Sequence, residues 1–369
     1  MMTKSVMEDS ELSAVSLKTL RPVELFPLPA RPAVSVLITC FNYGPYVGEA
    51  IESVFRQTYE VSEIVVSDDG SSDNSCEVVE GYASRDGRVK LVRGAHGGMA
   101  ACLNGAYAAS SGDVVCLLDA DDVFLPDKVE AVVEAFRDNR DAGFCTHRAL
   151  LMDHKARRRG VYPLGSLPVG DCAFSTFSNA GILMGLPPTT NLSLRREVAE
   201  RLFPISAELT GYAEQMIHRL APLMTELCSA NAALAEWRQH GKNDQKATHL
   251  TLKRLDRELE IMMLLWEKQR DYLASVNPEA AGAFPGLDRS AYFRKLRYAQ
   301  ARLAGSADAS QRYSELFASP LDGGKDIYFW QLSKFLPQPI FSKALDLVMT
   351  QGVLKELIAR FTRQGHSAP

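Results

Sequence analysis

The sequence predicts an α/β protein, a mostly parallel sheet flanked by helices with a C-terminal helical appendage. Three observations predict it. Between Val34 and Phe136, short β-rich apolar runs alternate four times with apolar stripes of helical period. The links between them are short, as when helices cross back over a parallel sheet. Beyond about residue 246 only helical stripes remain.

In chain order, residues 1–31 carry no period and close on the Pro-rich run Phe26 to Pro32, which reads as a tail. Val34 to Thr39 is a buried strand, and Val47, Ala50, Ile51, Val54 and Phe55 mark one face of a helix. Glu63 to Ser67 is the second strand, followed by a turn and a helix over Ser71 to Ser84. Val89 to Val92 is the third strand, with a helical stripe at Met99, Cys102, Leu103 and Ala106. Val114 to Leu118 is the fourth, and Val129, Val132, Val133 and Phe136 mark the helix behind it. From Gly143 the alternation breaks into short strands over Phe144 to Met152 and Gly/Pro turns, with helices at Arg196 to Phe203 and Ala213 to Leu223. Two later stripes, Leu252, Leu255, Leu259, Met262, Met263, Trp266 and Leu354, Leu357, Ile358, Phe361, predict a helical C-terminal region. The expected division is a tail at 1–31, a domain at 32–245 with halves at about 33–140 and 141–245, and a helical region at 246–369.

Bulk composition narrows the function classes. The chain has 369 residues, 46% hydrophobic and 23% charged, enough for a sizeable core. A net charge of −4 argues against nucleic acid as a partner held by bulk charge. The seven cysteines are widely spaced without a C-x-x-C, which reads as buried free thiols in a reducing compartment. No apolar stretch reaches bilayer length, and Met1 to Leu20 lacks the apolar core of a signal peptide. The expectation is a cytoplasmic protein, or one held peripherally on the inner face of a membrane.

In a parallel sheet, ligands sit at the carboxyl ends of the strands. The loops there are Thr39 to Asn42, Asp68 to Ser71, His96 to Gly98 and Asp119 to Asp122. In Asp119-Ala120-Asp121-Asp122, two carboxylates two residues apart can share a hard divalent cation, which takes its other ligands from phosphates and water. The same acids can also cap the helix that follows. Asp68 and Asp69 stand side by side after a buried strand, and a carboxylate there can accept the imide N–H of a uracil or thymine. Phe41 can stack on a base or sit in the core. Gly97 and Gly98 allow a ligand close to the backbone.

Ser35 to Asn42, Asp68-Asp69-Gly70-Ser71, His96-Gly97-Gly98 with Leu103-Asn104, and Leu118 to Asp122 occur in order and at familiar spacing. Together they closely resemble the inverting family 2 glycosyltransferases of the GT-A fold, strongly over about 33–140 and more weakly over 180–243. The resemblance implies a GT-A-like, Rossmann-related sheet and transfer of a sugar from a nucleotide diphosphate donor, UDP-linked, to a hydroxyl of a glycan or lipid-linked acceptor. It implies Thr39 and Phe41 at the nucleobase, Asp69 on the base N–H, Asp119 near ribose and donor sugar, and Asp121 on an Mn²⁺ or Mg²⁺ ion bridging the diphosphate. Leu103 stands where many members carry Arg, which puts any donor contact from that position in doubt.

Inverting transfer also needs a base on the acceptor side. The family places an acid at the head of the helix that follows a segment like Pro188 to Ile205. Here that acid is Glu214, where members more often carry Asp, with Glu208 the nearest substitute. Trp237 to Asn243 resembles a Tyr-Arg-x-His-Gly-x-Asn segment, so His240 is a candidate for the diphosphate or the metal. Lys155 to Arg159 can receive a phosphorylated lipid acceptor or be a solvated loop, and the C-terminal stripes can lie on a membrane surface. A scaffold subunit that binds a nucleotide sugar without turnover would suit the departures at Glu214 and Leu103, but Asp69, Asp119 and Asp121 argue against it. A sugar nucleotidyltransferase is disfavoured because the Cys40 to Pro45 loop has no Lys or Arg.

Overall fold

The computed structural model describes residues 23–153, 157–239, 251–318 and 327–350. Four parallel strands come first: β1 (Val34–Cys40), β2 (Glu63–Asp68), β3 (Val89–Arg93) and β4 (Val114–Asp119). They alternate with α1 (Gly44–Phe55), α2 (Ser75–Ala83), α3 (Gly98–Ala108) and, behind the two-residue β5 (Val123–Phe124), α4 (Lys128–Asp138). The apolar runs of β1, β2 and β4 are buried along almost their whole length, because helices cover both faces. Pro45 sits in the first turn of α1, where its missing N–H has no helical partner to lose. Val47, Ala50, Ile51 and Val54 then pack against Val36, Ile38, Val66 and Cys116, each buried Val or Ile contributing roughly 1.5–3 kcal/mol.

Strand order sets the crevice. The sheet runs β3-β2-β1-β4 and continues through β8 (Leu192–Arg195), β6 (Ala142–Asp153), β9 (Glu226–Gln239) and β5, with β7 (Arg158–Tyr162) paired to β6. From β1 the chain moves outward through β2 and β3, then returns to the other side of β1 as β4. That reversal is where ligands bind in open α/β sheets. It sets Thr39 opposite Asp119 across the β1–β4 pair, and Cys40 opposite Asp68 across β1–β2.

The first four strands pair in parallel, whereas β8 is antiparallel to both β4 and β6, and β9 is parallel to β6 but antiparallel to β5. The expected short strands over Phe144 to Met152 form the single 12-residue β6. The helix expected from Ser71 begins at Ser75, because the residues before it bond the neighbouring loop. Three further helices belong to this half: α5 (Ala173–Ser178), α6 (Arg196–Leu202) and α7 (Ala213–Met224). The resulting mixed sheet flanked by helices is the fold expected from the sequence. All seven cysteines are free thiols, six of them buried.

The chain divides into two compact units, one within Met1–His240 and Gln269–Phe284, the other within Gly241–Lys268 and Pro285–Pro369. The long helix α8 (Leu252–Val276) runs through both segments and is followed by α9 (Pro278–Ala283). In the first unit, Gln269 donates to the carbonyls of Gly181 and Arg219. The second unit holds α10 (Ala291–Ala304), α11 (Ala309–Leu316), α12 (Ile327–Leu332) and α13 (Gln338–Thr350). Of the predicted stripe on α8, Leu255, Leu259 and Met262 are buried, while Leu252 and Met263 are exposed. The second predicted stripe, Leu354 to Phe361, lies outside the described residues, as does most of the predicted tail.

Candidate active site

The rim of the sheet is stitched loop to loop. The Asp69 N–H donates to the Cys40 carbonyl at 2.9 Å and the Ala120 N–H to the Thr39 carbonyl at 3.0 Å. Asn42, in a left-handed conformation (φ 55°), receives Ser72 N–H on its Oδ1 at 2.8 Å and donates its own N–H to Ser71 Oγ. Gly44 N–H donates to Asp73. The loops after β1 and β2 therefore form one hydrogen-bonded ledge.

The two adjacent acids after β2 have different jobs. Asp68 is buried, and its Oδ1 accepts the N–H groups of Gly70 (3.1 Å) and Ser71 (2.8 Å) while its Oδ2 accepts the Ser71 hydroxyl at 2.5 Å. That carboxylate, which the sequence places among the donor-binding candidates, builds the turn. Asp69 receives Gly97 N–H on Oδ1 at 2.7 Å and Gly98 N–H on Oδ2 at 2.9 Å. Each oxygen keeps lone-pair capacity for another donor. The Phe41 ring stacks on His96, with centroids 4.5 Å apart, and the His96 Nδ1 lies 3.4 Å from Asp69 Oδ2. His96 thus joins the aromatic wall beside Asp69.

Gly98, a donor-side candidate in the sequence, is also constrained by the backbone around it. Its φ is +82°, and a Cβ there would meet the Thr210 carbonyl oxygen at 2.7 Å. The next N–H, of Met99, donates to that same carbonyl at 2.6 Å. Only glycine accommodates both the left-handed conformation and the close backbone. The contact ties the donor-side loop to the segment leading into α7.

On the other side of β1, Asp119 accepts the Thr39 hydroxyl at 2.9 Å. Asp121 and Asp122 are both buried. Burial first, and the Asp121 carboxylate second, push Asp119 up to about 7, with Glu214 adding to the same effect. Asp122 is pushed up as well, by burial and then by Asp121 and Asp119. Glu214, in the first turn of α7, is buried and likewise raised by burial. Glu214 on α7 and the acids at the end of β4 therefore share one field, although about 90 residues of chain separate them. Glu208 is exposed and accepts from Ser206, so geometry favours Glu214.

Asp119 and Asp121 are hard oxygen donors in an acid cluster, which suits a divalent cation. Among the described residues no group of three or more His, Cys, Asp or Glu draws together as a cage. His240 lies outside the described residues. Leu103 is buried, and Asn104 is engaged with the backbone of Ile205 through both side-chain atoms. Arg157 and Arg159 pair with Asp153, and Arg158 with Glu236, so these cations are already spent on protein carboxylates. Lys155 is outside the described residues.

A family model described as glycosyl transferase family 2 matches residues 35–203. A Nostoc sp. protein described as an uncharacterized glycosyltransferase is 30% identical over 270 residues, covering 72% of this chain and 83% of that one. The glycosyltransferase GlyG of Streptococcus pneumoniae is 31% identical over 102 residues, 27% of this chain and 34% of that protein. Among solved structures, S. aureus TarS 1-349 in complex with UDP-GlcNAc aligns with a TM-score of 0.50 at 14% identity, covering 77% of this chain and 90% of that chain.

Proposed function

Because the chain belongs to glycosyltransferase family 2, we propose that this glycosyltransferase moves a sugar from a UDP-linked donor to a hydroxyl of a glycan or lipid-linked acceptor, inverting C1 with a divalent metal at the diphosphate. The observation that carries the reading is the shared field of Asp119, Asp121 and Glu214 at the switch point of the sheet. Asp69 beside the Phe41–His96 stack supports a uracil contact, and the like-folded TarS structure contains UDP-GlcNAc.

In this reading residues 32–245 carry the chemistry, the donor binding at about 33–140 and the acceptor at 141–245. Residues 246–369 form a helical region and 1–31 a tail. Phe41 and Thr39 line the base, and Asp69 accepts its imide N–H. Asp119 faces ribose and sugar. Asp121, with His240, holds the Mn²⁺ or Mg²⁺ ion, which when bound neutralises charge on the departing diphosphate. The Glu214 carboxylate takes the proton of the acceptor hydroxyl as that oxygen bonds to C1 from the face opposite the diphosphate. The C1–oxygen bond to the diphosphate breaks with its electron pair going to phosphate. The first test is a melting panel of nucleoside diphosphates with Mn²⁺. UDP at 100 times its Kd stabilises by about 2.7 kcal/mol; no response to any nucleotide with metal present would sink the assignment.

No helix among the described residues is long and apolar enough to cross a membrane. We infer peripheral contact at the inner, cytoplasmic face through the C-terminal helices. Tyr328 and Leu332 on α12, Phe335 after it and Ile340 on α13 are all exposed, with Lys334 and Lys343 in the same stretch. Large apolar groups beside cations suit an anionic lipid surface. The protein should co-float with vesicles containing an anionic phospholipid and stay behind with purely zwitterionic ones. Failure to float with either kind refutes the contact.

A further inference from the structure

The acidic loop Ala120–Asp122 is held on both flanks by antiparallel ladders. On one side β4 pairs with β8, Cys116 facing Ser193. Carried past the end of β8 into the 3-10 turn Thr189–Asn191, that register brings Thr190 to Asp119, whose N–H donates to Thr190 Oγ1 at 3.1 Å. On the other side β5 pairs with β9, Val123 facing Glu236. Continued two residues, it brings Arg238 to Asp121, where the Arg238 Nε donates to the Asp121 carbonyl at 2.9 Å.

Asp122 is the crosspiece between the two flanks. Its Oδ2 accepts the Thr190 hydroxyl at 2.5 Å and its Oδ1 accepts the Arg238 N–H at 2.9 Å. Its own N–H closes a turn on the Asp119 carbonyl at 3.0 Å. Arg238 is buried, pairs with Glu49 and lies over the Tyr46 ring, its guanidinium carbon 5.0 Å from the centroid, so that flank is anchored to α1. Thr190, also buried, bonds both the backbone of Asp119 and the carboxylate of Asp122.

We propose that Thr190 is a positioning residue for the donor metal: its hydroxyl, accepting from Asp119 N–H and donating to Asp122, fixes the backbone that aims the Asp119 and Asp121 carboxylates. This rests on the reading of Asp121 as a metal ligand. A single hydroxyl serves as acceptor and donor at once, so its loss frees the loop on one flank and leaves a buried carboxylate oxygen without its donor. Groups that orient metal ligands from behind typically govern 10- to 100-fold in metal affinity.

The test uses the full-length protein with MnCl₂ and UDP, reading bound Mn²⁺ by electron paramagnetic resonance and folding by thermal melting. Thr190→Val keeps the shape and loses the hydroxyl; Thr190→Ser keeps the hydroxyl and loses the methyl. The expected result is a 10- to 100-fold weaker Mn²⁺ affinity in T190V, with an altered spectrum of the bound ion, and near wild-type behaviour in T190S. If T190V does not fold, Asp122→Asn, whose single amide oxygen cannot accept from both the Thr190 hydroxyl and the Arg238 N–H, should weaken Mn²⁺ binding in the same direction. A folded T190V that binds Mn²⁺ and UDP like the wild type overturns the proposal, as does a T190S as damaged as T190V. Wild type that fails to bind Mn²⁺ with UDP overturns the metal-site reading itself, and this proposal with it.

Discussion

Asp121→Asn should abolish metal-dependent binding of UDP and lower turnover of the UDP-sugar by roughly 10³-fold. Asparagine keeps the shape and one oxygen but loses the charge that a hard dication needs. Several kcal/mol of charge stabilisation at the diphosphate disappear with it, and about 4 kcal/mol corresponds to that factor. The substitution also relieves its neighbours, because the Asp121 charge helps to hold the protons of Asp119 and Asp122. D121N should therefore stay folded, and melt no lower than wild type, while losing the extra stabilisation by UDP with Mn²⁺. Titration calorimetry with UDP, with and without Mn²⁺, separates the two effects. A D121N protein with metal-dependent UDP affinity equal to wild type would remove Asp121 from the metal.

The contrast between Asp121 and its neighbours shows how far the sequence could be read. The four strand–helix repeats were legible because β1, β2 and β4 carry buried apolar runs and each helix carries its stripe at a period of about 3.6. That legibility placed four loops on one rim, and the register of β1 with β2 and β4 brings them together. The sequence could not say which of two adjacent acids the turn would capture. Asp68 and Asp69 are chemically alike, yet Gly70 and Ser71 donate to Asp68 while Gly97 and Gly98 donate to Asp69. Nor could it explain Gly98, whose constraint is the backbone of Thr210, 112 residues later in the chain.

The acceptor half was harder for a physical reason. The strand β9, Glu226–Gln239, is rich in Ala and lacks β-branched residues. Its strand character comes from its neighbours, β6 on one side and β5 on the other, rather than from local propensity. β8 is only four residues long. Register alone sets Arg238, on β9, and Thr190, in the turn before β8, beside the acidic loop, and no local pattern marks either. The segments that contain them carried a signal only through family resemblance.

Glu214→Gln should lower transfer by about 10²- to 10⁴-fold, the usual range for losing a positioned base, while UDP and Mn²⁺ bind as in wild type. The amide is nearly the same size and keeps a hydrogen-bond acceptor for Gln215, whose side chain donates to Glu214 at 3.3 Å. What it cannot do is take a proton. Burial raises Glu214 above the ordinary glutamate value, and a base works only when deprotonated. Wild-type kcat/KM should thus fall as pH drops through that raised value, with an acid limb above the ordinary glutamate range. In E214Q the residual rate should lose this limb. Asp119, relieved of one nearby negative charge, should ionise more readily, so Mn²⁺ binding at mildly acidic pH should hold or improve. That separation of chemistry from metal binding distinguishes a base from a structural acid. Removing a structural acid would move melting temperature and donor affinity together and leave the pH profile in place. An E214Q enzyme with wild-type turnover would return the role of base to another group.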